Sequence, residues 1–256
     1  MDSLSCYILT RNSEKYLPQI LQQVKAVADE ILLIDSGSTD RTCSIARKHG
    51  CRILYRTFDN FRNQRAFAQE QCKHDWVLLL DSDEIPSTAL IAKLQQLKQE
   101  GFASDCYQIR REWNVLGRRV SVCFPVVCPD YPVRLLNRSV VGFDERGPVV
   151  HETPHGQRTT LHLEESIEHI TFETKREMER KLQHYSALAA VDVVARGKSR
   201  SWYKQFFDPV GAWLKWYLIK GAWKDGAVGW EMGIYAFRYT YLKYANARKA
   251  DKKPNE

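Results

Sequence analysis

The sequence lacks the glycine-rich signatures of the commonest nucleotide-binding folds. Neither GxGxxG nor GxxxxGK[ST] follows the first strand-like segment, Leu4-Ser5-Cys6-Tyr7-Ile8-Leu9. A dinucleotide-binding Rossmann site and a P-loop are therefore both excluded. The seven cysteines are an odd number without a CxxC pair, which favours reduced thiols over a disulfide framework. Any bound phosphates must be neutralised by something other than a glycine-rich loop.

Long apolar segments are also missing. No run of about 18 uncharged apolar residues occurs, and the start, Met1-Asp2-Ser3-Leu4-Ser5, lacks the basic and apolar regions of a signal peptide. We therefore expect a cytoplasmic protein without a membrane-spanning helix. Hydrophobic and charged fractions of 44% and 27% are typical of a globular chain, and the formal charge of +7 favours anionic partners. Such partners are phosphates, nucleic acid or an acidic membrane surface.

Strand-like and helix-like segments alternate at the beginning of the chain. Apolar strand-like runs end near residues 9, 34, 55 and 80, and alternation at this spacing predicts a parallel, doubly wound sheet with right-handed crossovers. Ser13 is predicted to cap the first helix and Ser87 the fourth. The predicted helices cover residues 14–28, 41–49, 60–73 and 88–99.

The most informative stretch is Asp81-Ser82-Asp83-Glu84, which follows the apolar run Trp76-Val77-Leu78-Leu79-Leu80. Five consecutive apolar residues indicate a strand that is buried on both faces. Open α/β sheets bind their ligands at the carboxyl ends of such strands. Two acids one residue apart can share a hard divalent cation, and that cation can bridge two phosphates of a nucleotide. The structural alternative is a solvated loop or a helix cap.

Four motifs in a fixed order carry a resemblance to a known family. Each lies at a strand end or a helix start, and together they resemble the T-x-N, VDDGSTD, ARN and DxD motifs of family 2 glycosyltransferases. The resemblance covers roughly residues 3–155. It implies a GT-A fold, an α/β, Rossmann-like, mostly parallel doubly wound sheet, over residues 1–170, with a C-terminal helical extension over residues 171–256. The motifs are Thr10-Arg11-Asn12, Ile34-Asp35-Ser36-Gly37-Ser38-Thr39-Asp40, Gln64-Arg65-Ala66 and Leu80-Asp81-Ser82-Asp83-Glu84.

The resemblance also implies roles for single residues. Asp35 and Arg65 would hold the base and ribose of a nucleotide sugar, and Asp83 would hold a divalent cation, Mn²⁺ or Mg²⁺, on the diphosphate. The chemistry agrees, because carboxylates accept from imides and hydroxyls while a guanidinium donates to carbonyls and phosphates. The structural alternative is turn formation or capping for Asp35 and Asp40, and an exposed helix charge for Arg65. The implied nucleotide-sugar-binding residues are Thr10, Asn12, Asp35, Arg65 and Asp81.

Later segments resemble a narrower branch, the bacterial lipopolysaccharide inner-core β-1,4-glucosyltransferases. They are Pro129-Asp130-Tyr131-Pro132-Val133-Arg134-Leu135-Leu136 and Val149-Val150-His151-Glu152. The resemblance implies an inverting transfer with Glu152 as general base and Asp130 as its rival. It implies His151 as a metal or phosphate ligand, with a structural role as the alternative. The implied donor is UDP-glucose and the acceptor a sugar of a lipid-linked glycoconjugate such as lipopolysaccharide inner core. Val126-Val127-Cys128 departs from the branch, which leaves the acceptor open.

Three other enzyme classes share single features with the chain. His151-Glu152-Thr153-Pro154-His155 matches the zinc-protease pattern HExxH, but that pattern needs a helix, which Pro154 and the following Gly156 oppose. A phosphatase with a DxD nucleophile would carry its acidic strand near the N-terminus, whereas three predicted strands precede Asp81 here. A sugar-phosphate nucleotidyltransferase usually carries a glycine-rich signature near the first strand, which is missing here.

From about residue 171 the sequence changes character. Residues 175–195 form a long helical pattern, and the aromatic residues that follow are interleaved with lysines. On amphipathic helices this pattern predicts peripheral association with an anionic membrane, here the inner face of the cytoplasmic membrane. The alternative is a helix pair that covers the sheet. A single-stranded nucleic-acid binder is disfavoured because the aromatics recur at helical spacing, so we expect no nucleic-acid partner. The predicted buried helix face is Met178, Leu182, Tyr185, Leu188 and Ala189. The aromatics are Trp202, Tyr203, Phe206, Phe207, Trp213, Trp216, Tyr217, Trp223 and Trp230, and the lysines Lys204, Lys215, Lys220, Lys224 and Lys243.

Overall fold

A computed structural model describes residues 2–143, 153–195 and 203–251. The chain divides into two compact units. Unit 1 comprises residues 1–111 and 131–169, and unit 2 comprises residues 112–130 and 170–256. Unit 2 thus combines an internal segment with the C-terminal part of the chain.

The first four strands form the parallel part of the sheet. They lie in the order β3-β2-β1-β4, and each neighbouring pair is parallel. All residues of β1 and the five apolar residues of β4 are buried, as expected for strands that have both faces covered. The predicted α/β class is confirmed. The strands are β1 Leu4–Thr10, β2 Glu30–Asp35, β3 Arg52–Tyr55 and β4 Trp76–Asp81.

Beyond β4 the sheet continues with antiparallel pairs, in the order β10-β6-β11-β5. β10 (Val133–Asn137) is antiparallel to both β4 and β6 (Cys106–Val115), and β11 (Thr160–Phe172) is antiparallel to β5 (Glu84–Pro86). The parallel arrangement therefore covers only the first half of the sheet. β10 and β11 lie outside the alternating strand–helix pattern from which the parallel sheet was predicted.

The helices of unit 1 follow the predicted order, the first three with smaller extents and the fourth one residue longer than predicted. α3 packs against β1 and β2, and its Ala68 joins the core beneath these strands, as does Cys72 directly after the helix. Ser87 caps α4 as predicted, because its hydroxyl accepts from the Leu90 N–H at 3.2 Å. The helices are α1 Leu17–Val24, α2 Thr42–Lys48, α3 Phe61–Gln71 and α4 Thr88–Glu100.

The predicted cap of the first helix is wrong. α1 begins at Leu17 rather than at residue 14, and no side chain caps it. The Ser13 hydroxyl instead donates to Ser82 Oγ at 2.8 Å. Ser13 thereby joins the loop after β1 to the acidic turn after β4, a contact between residues 69 positions apart that local sequence does not reveal.

Unit 2 is built mainly from helices around α7. Both α5 and α6 pack against α7, and the segment of residues 112–130 contributes Trp113, Val115 and Val120 to the same core. None of the helices in the described part of the chain is long and apolar enough to cross a membrane. The elements are α5 Lys175–Ala195, α6 Lys204–Trp213, a π-helix Leu214–Ile219, a 3₁₀ turn Ala222–Asp225, α7 Gly226–Asp251, and the short strands β7 Arg118–Arg119, β8 Val122–Cys123 and β9 Val126–Val127.

The predicted buried face of α5 is only partly correct. Met178 and Leu182 are buried as predicted, but Tyr185 and Leu188 are 47% and 56% exposed. The buried row continues instead through Ser186 and Ala190, which are 0% and 4% exposed. Residues four apart lie on one side of a helix, and small side chains there let α5 and α7 approach each other closely. The predicted face continued from Leu182 to Tyr185 and Ala189, whereas the buried row advances in steps of four from Leu182 through Ser186 to Ala190.

Candidate active site

The ends of β1 and β2 meet at Asp35. Thr10, the last residue of β1, lies opposite Asp35, the last residue of β2, and both are buried. The Thr10 hydroxyl donates to the Ile34 carbonyl oxygen at 3.3 Å and lies 3.4 Å from Asp35 Oδ1. Two predicted nucleotide-binding residues therefore stand side by side at the carboxyl edge of parallel strands.

The Asp35 carboxylate also organises the turn after β2. Its Oδ2 accepts from the backbone N–H groups of Gly37 and Ser38, each at 3.0 Å, and its Oδ1 accepts from the Ser38 hydroxyl. Gly37 has φ of +90°, a left-handed conformation that glycine adopts without strain. The turn-forming role that was the structural alternative for Asp35 is thus present. That Asp35 also contacts a nucleotide remains a prediction.

Asp40 caps the start of α2, which was the structural alternative given for it from the sequence. Its Oδ1 accepts from the backbone N–H of Thr42, the first residue of α2, at 2.9 Å, and its Oδ2 accepts from the Glu14 N–H at 3.1 Å. Burial raises the pKa of Asp40, but the hydrogen bonds from Thr42 and Glu14 outweigh burial and leave the pKa below its usual value. Asp40 therefore stabilises the start of α2 as an anion.

The loop after β1 is hydrogen-bonded to the turns after β2 and β4. Asn12 donates its backbone N–H to Ser38 Oγ at 2.9 Å, and its Oδ1 accepts from the Thr39 N–H at 2.8 Å. Asn12 has φ of +52°, a left-handed conformation that asparagine tolerates better than most residues. With the contact from Ser13 to Ser82, the loops that carry three of the four motifs form one hydrogen-bonded group at the carboxyl edge of the sheet.

Asp81 is held by two buried arginines. Arg65 of α3 is 3% exposed, and its Nη2 donates to both carboxylate oxygens of Asp81 at 2.9 and 3.0 Å. Arg134 of β10 donates to Asp81 Oδ2 at 3.1 Å. Arg65 is therefore not an exposed helix charge, and that structural alternative is wrong. The two residues predicted to bind the nucleotide sugar contact each other directly.

Glu84, the last acid of the cluster, is fully buried. Its carboxylate accepts from Arg111 Nη1 at 2.8 Å and from Arg134 Nε and Nη2 at 2.8 and 2.7 Å. Burial raises the pKa of Glu84, but the guanidinium groups of Arg134 and Arg111 outweigh burial and hold the pKa well below its usual value. Glu84 is thus an anion at neutral pH. Because Arg134 also bonds to Asp81, it couples the two acids.

Arg134 and Glu84 were missed as site residues, although the sequence carries a signal for them. Arg134 stands within an apolar strand, where a charged side chain is buried only when it is paired. The identity of its partner could not be read from the sequence, because Arg134 lies 50 residues from Glu84.

Asp83 lies beside His169, which the sequence analysis did not select. Asp83 Oδ2 is 3.4 Å from His169 Nε2 on β11, and the Asp83 side chain is 35% exposed. Carboxylates are the donors that Mg²⁺ and Mn²⁺ prefer, and such cations often use one or two carboxylates together with phosphate oxygens. No group of three or more metal-binding side chains occurs among the residues that the structure describes. Asp83 therefore has the donor chemistry that such a cation prefers, and substrate oxygens would have to supply further ligands.

Three predicted site residues remain, which are Asp130, His151 and Glu152. Asp130 belongs to unit 2, where its Oδ1 accepts from Trp113 Nε1 at 2.7 Å. Glu152 and His151 lie outside the described residues. Thr153 and Pro154 are not helical, and His155 forms an antiparallel bridge with Gly142. The described part of the HExxH stretch therefore lacks the helix that a zinc protease needs.

The strand order and the position of the acids together define the class of protein. The sheet has the parallel order β3-β2-β1-β4 followed by antiparallel strands, and acidic residues end β2 and β4. This is the GT-A fold.

The comparison with known families agrees with this class. Residues 5–121 match the sequence model described as "Glycosyl transferase family 2". Residues 5–121 are therefore a glycosyltransferase domain of family 2. This assignment decides against the phosphatase, protease and nucleotidyltransferase alternatives.

Several relatives align with almost the whole chain, and two of them are described here. The lipopolysaccharide core biosynthesis glycosyltransferase LpsC of Rhizobium meliloti is 28% identical over 94% of this chain and 90% of its own length. An uncharacterized glycosyltransferase of Rickettsia typhi is 26% identical over 97% of this chain and 88% of its own length. Among solved structures, residues 1–349 of TarS from S. aureus align with 98% of this chain and 90% of that chain at 16% identity, with a TM-score of 0.47.

Proposed function

We propose that this protein is an inverting hexosyltransferase of lipopolysaccharide biosynthesis. Its proposed donor is UDP-glucose, and its proposed acceptor is a sugar of a lipid-linked glycoconjugate such as the lipopolysaccharide inner core. The similarity to LpsC over nearly the whole chain supports this acceptor class. We further propose that the protein works in the cytoplasm, peripherally at the inner face of the cytoplasmic membrane, where such acceptors are exposed.

The observation that carries the proposal is the hydrogen-bonded group of loops at the carboxyl edge of the sheet. Asp35, Asp81 and Asp83 all belong to these loops, and Asp83 is the most exposed of the three at 35% of its side chain. Buried arginines already compensate the charge of Asp81, which leaves Asp83 as the better cation ligand.

In this proposal Asp35, Arg65 and Asp81 bind the nucleoside, with Thr10 and Asn12 shaping the loops around it. Asp83 and His169 would hold Mn²⁺ or Mg²⁺, and the proposal keeps His151 as a further ligand. When bound, such a cation supplies positive charge next to the leaving diphosphate. The hydrogen bonds from Arg65 and Arg134 fix the orientation of the Asp81 carboxylate, which in this proposal accepts a ribose hydroxyl.

The proposed general base is Glu152, with Asp130 as the alternative. The base takes the proton of the acceptor hydroxyl while the hydroxyl oxygen attacks the anomeric carbon from the face opposite the diphosphate. The bond to the diphosphate oxygen breaks with its electron pair, and UDP leaves. Attack from the opposite face inverts the anomeric configuration.

A titration and a matched pair of variants test the site. We expect calorimetric titration with UDP-, GDP- and dTDP-sugars to show binding of UDP-glucose that manganese strengthens.

Asp83→Asn should lower transfer by at least about a hundredfold, because a cation ligand is lost while the shape of the side chain is kept. Asp75→Asn is the control, since Asp75 lies at the other end of β4 with its side chain 66% exposed. Near-normal turnover of the Asp83 variant would overturn the proposed site.

A further inference from the structure

One side of α6 and the following π-helix exposes apolar side chains along its whole length. Seven of them are between 42% and 78% exposed, and their spacing of three or four residues places them on one side of the helix. We call this set the α6 apolar face. Its members are Tyr203, Phe206, Phe207, Val210, Leu214, Leu218 and Ile219.

The opposite side of the same helix makes the core contacts. Trp213 and Tyr217 stack with ring centroids 5.0 Å apart, and both pack edge-on against Trp230 of α7. Trp216 packs against Phe124 with centroids 5.2 Å apart. One side of the helix therefore packs against the rest of unit 2, and the other side, the α6 apolar face, is exposed to solvent.

Lysines outnumber acids in the segment that carries the α6 apolar face. Residues 203–224 contain four lysines and a single acid, Asp208. The Asp208 carboxylate accepts from the Tyr244 hydroxyl of α7 at 2.7 Å. Lys215 and Lys224 lie 5.6 and 5.8 Å from the rings of neighbouring tryptophans. An apolar face bordered by lysines is complementary to a surface that has an apolar interior and an anionic outer layer.

We infer that the α6 apolar face docks on an anionic lipid bilayer, with the helix axis parallel to the membrane plane. The apolar side chains enter the boundary between headgroups and acyl chains, while the lysines contact lipid phosphates. A symmetric pair of copies would bury the same apolar side chains, but it would also bring together two sets of four lysines that are opposed by only one acid, Asp208, in each segment. The charge pattern therefore favours lipid over a second copy of the chain.

This inference rests on the proposed peripheral membrane location but not on the proposed donor or acceptor. Vesicle sedimentation with the full chain tests it without any substrate, so its failure would leave the proposed transfer reaction untouched. The vesicles contain phosphatidylcholine alone or with added phosphatidylglycerol. We expect binding to the anionic vesicles that weakens as salt is raised. Phe207→Ser with Ile219→Ser should lower this binding by about tenfold or more, because two inserted apolar side chains are lost.

The matched control is Leu188→Ser with Val191→Ser. These α5 side chains are 56% and 66% exposed but lie outside the α6 apolar face, so we expect no change in binding. A second variant, Lys215→Gln with Lys220→Gln and Lys224→Gln, should lower binding to anionic vesicles several-fold and leave binding to neutral vesicles unchanged.

Three results would overturn the inference. The first is a wild-type chain that binds neither kind of vesicle. The second is an equal loss of binding in the α6 and α5 serine variants, which would indicate general apolar adhesion. The third is a wild-type dimer in size-exclusion chromatography that the α6 serine variant converts to a monomer without any loss of vesicle binding.

Discussion

At the scale of single residues, Asp81 depends on charges that lie far away in the sequence. Arg134 donates to both Asp81 and Glu84, and Glu84 also accepts from Arg111. In a buried setting none of these charges is stable without its partner. The orientation of Asp81 therefore depends on a glutamate that itself faces no solvent.

Glu84→Gln tests this dependence. The substitution keeps the side-chain volume but leaves Arg111 and Arg134 buried with less compensating charge. We expect the free energy of unfolding to fall by about 3–5 kcal/mol. Glu179→Gln is the comparison, because the Glu179–Arg238 pair is 42% and 47% exposed and such pairs contribute less than about 1 kcal/mol. Urea denaturation of both variants measures the difference, and equal small losses would contradict the coupling.

The stability difference between wild type and Glu84→Gln should depend on pH. Because the pKa of Glu84 is lower in the folded chain than in the unfolded chain, its ionisation stabilises the fold fully above the unfolded pKa of about 4.3. That stabilisation is lost as the pH falls below this value. The gap in unfolding free energy between wild type and Glu84→Gln should therefore stay constant near neutral pH and shrink in acid. A gap that does not change with pH would mean that the carboxylate charge is not the cause.

At the scale of elements, small residues set how closely the helices of unit 2 approach. A Cβ atom at Gly229 would lie 1.7 Å from the Ala222 carbonyl oxygen, and one at Gly233 would lie 3.1 Å from atoms of Trp213 and Tyr217. α7 can therefore lie against the 3₁₀ turn and the π-helix only because these positions have no side chain. Ser186 and Ala190 have the corresponding role on α5.

Gly229→Ala should destabilise the protein, because α7 must move away from the Ala222 carbonyl. We expect a loss of about 1–3 kcal/mol in the free energy of unfolding, the usual cost of overpacking. Gly211→Ala in α6 is the control, since a Cβ atom there meets nothing within 4 Å, and alanine favours a helix by up to about 1 kcal/mol. Thermal or urea unfolding compares the two variants. If Gly229→Ala stabilised the protein as much as Gly211→Ala, the close approach of α7 to the Ala222 carbonyl would be refuted.

At the scale of the whole molecule, the units do not follow the order of the sequence. Residues 112–130 belong to unit 2 with the C-terminal part of the chain. Their Trp113, Val115 and Val120 share a core with Met232 and Tyr235 of α7. The Asp225 carboxylate accepts from the backbone N–H groups of Ser121 and Val122 at 2.8 and 3.2 Å. The boundary at residue 170 that the sequence suggested, which remains a prediction for the functional domains, would separate these partners.

A chain that ends at residue 170 should therefore expose apolar surface. Residues 112–130 would lose the helices that cover them, so we expect binding of a hydrophobic dye and loss of cooperative unfolding. The full-length chain is the reference. A monomeric fragment with a sharp unfolding transition and no dye binding would contradict this prediction.

The sequence by itself determined the parallel half of the sheet and the loops that leave it. Buried parallel strands are near-continuous apolar runs, and such runs predicted β1, β2 and β4 to within about one residue at each end. The more exposed edge strand β3 was predicted equally well. The turn after β2 and the cap of α4 were likewise predictable, because such geometry needs particular residue types within a few positions.

Only the tertiary structure decided what each charged side chain contacts and which helix faces are buried. The partners of Asp81, Asp83 and Glu84 come from α3, β6, β10 and β11, between 16 and 86 positions away in the chain. Local sequence does not encode such pairs, because they depend on which strands become neighbours. In the same way, α5 and α6 are apolar on more than one side, and only packing against α7 determined which side lies in the core and which faces solvent.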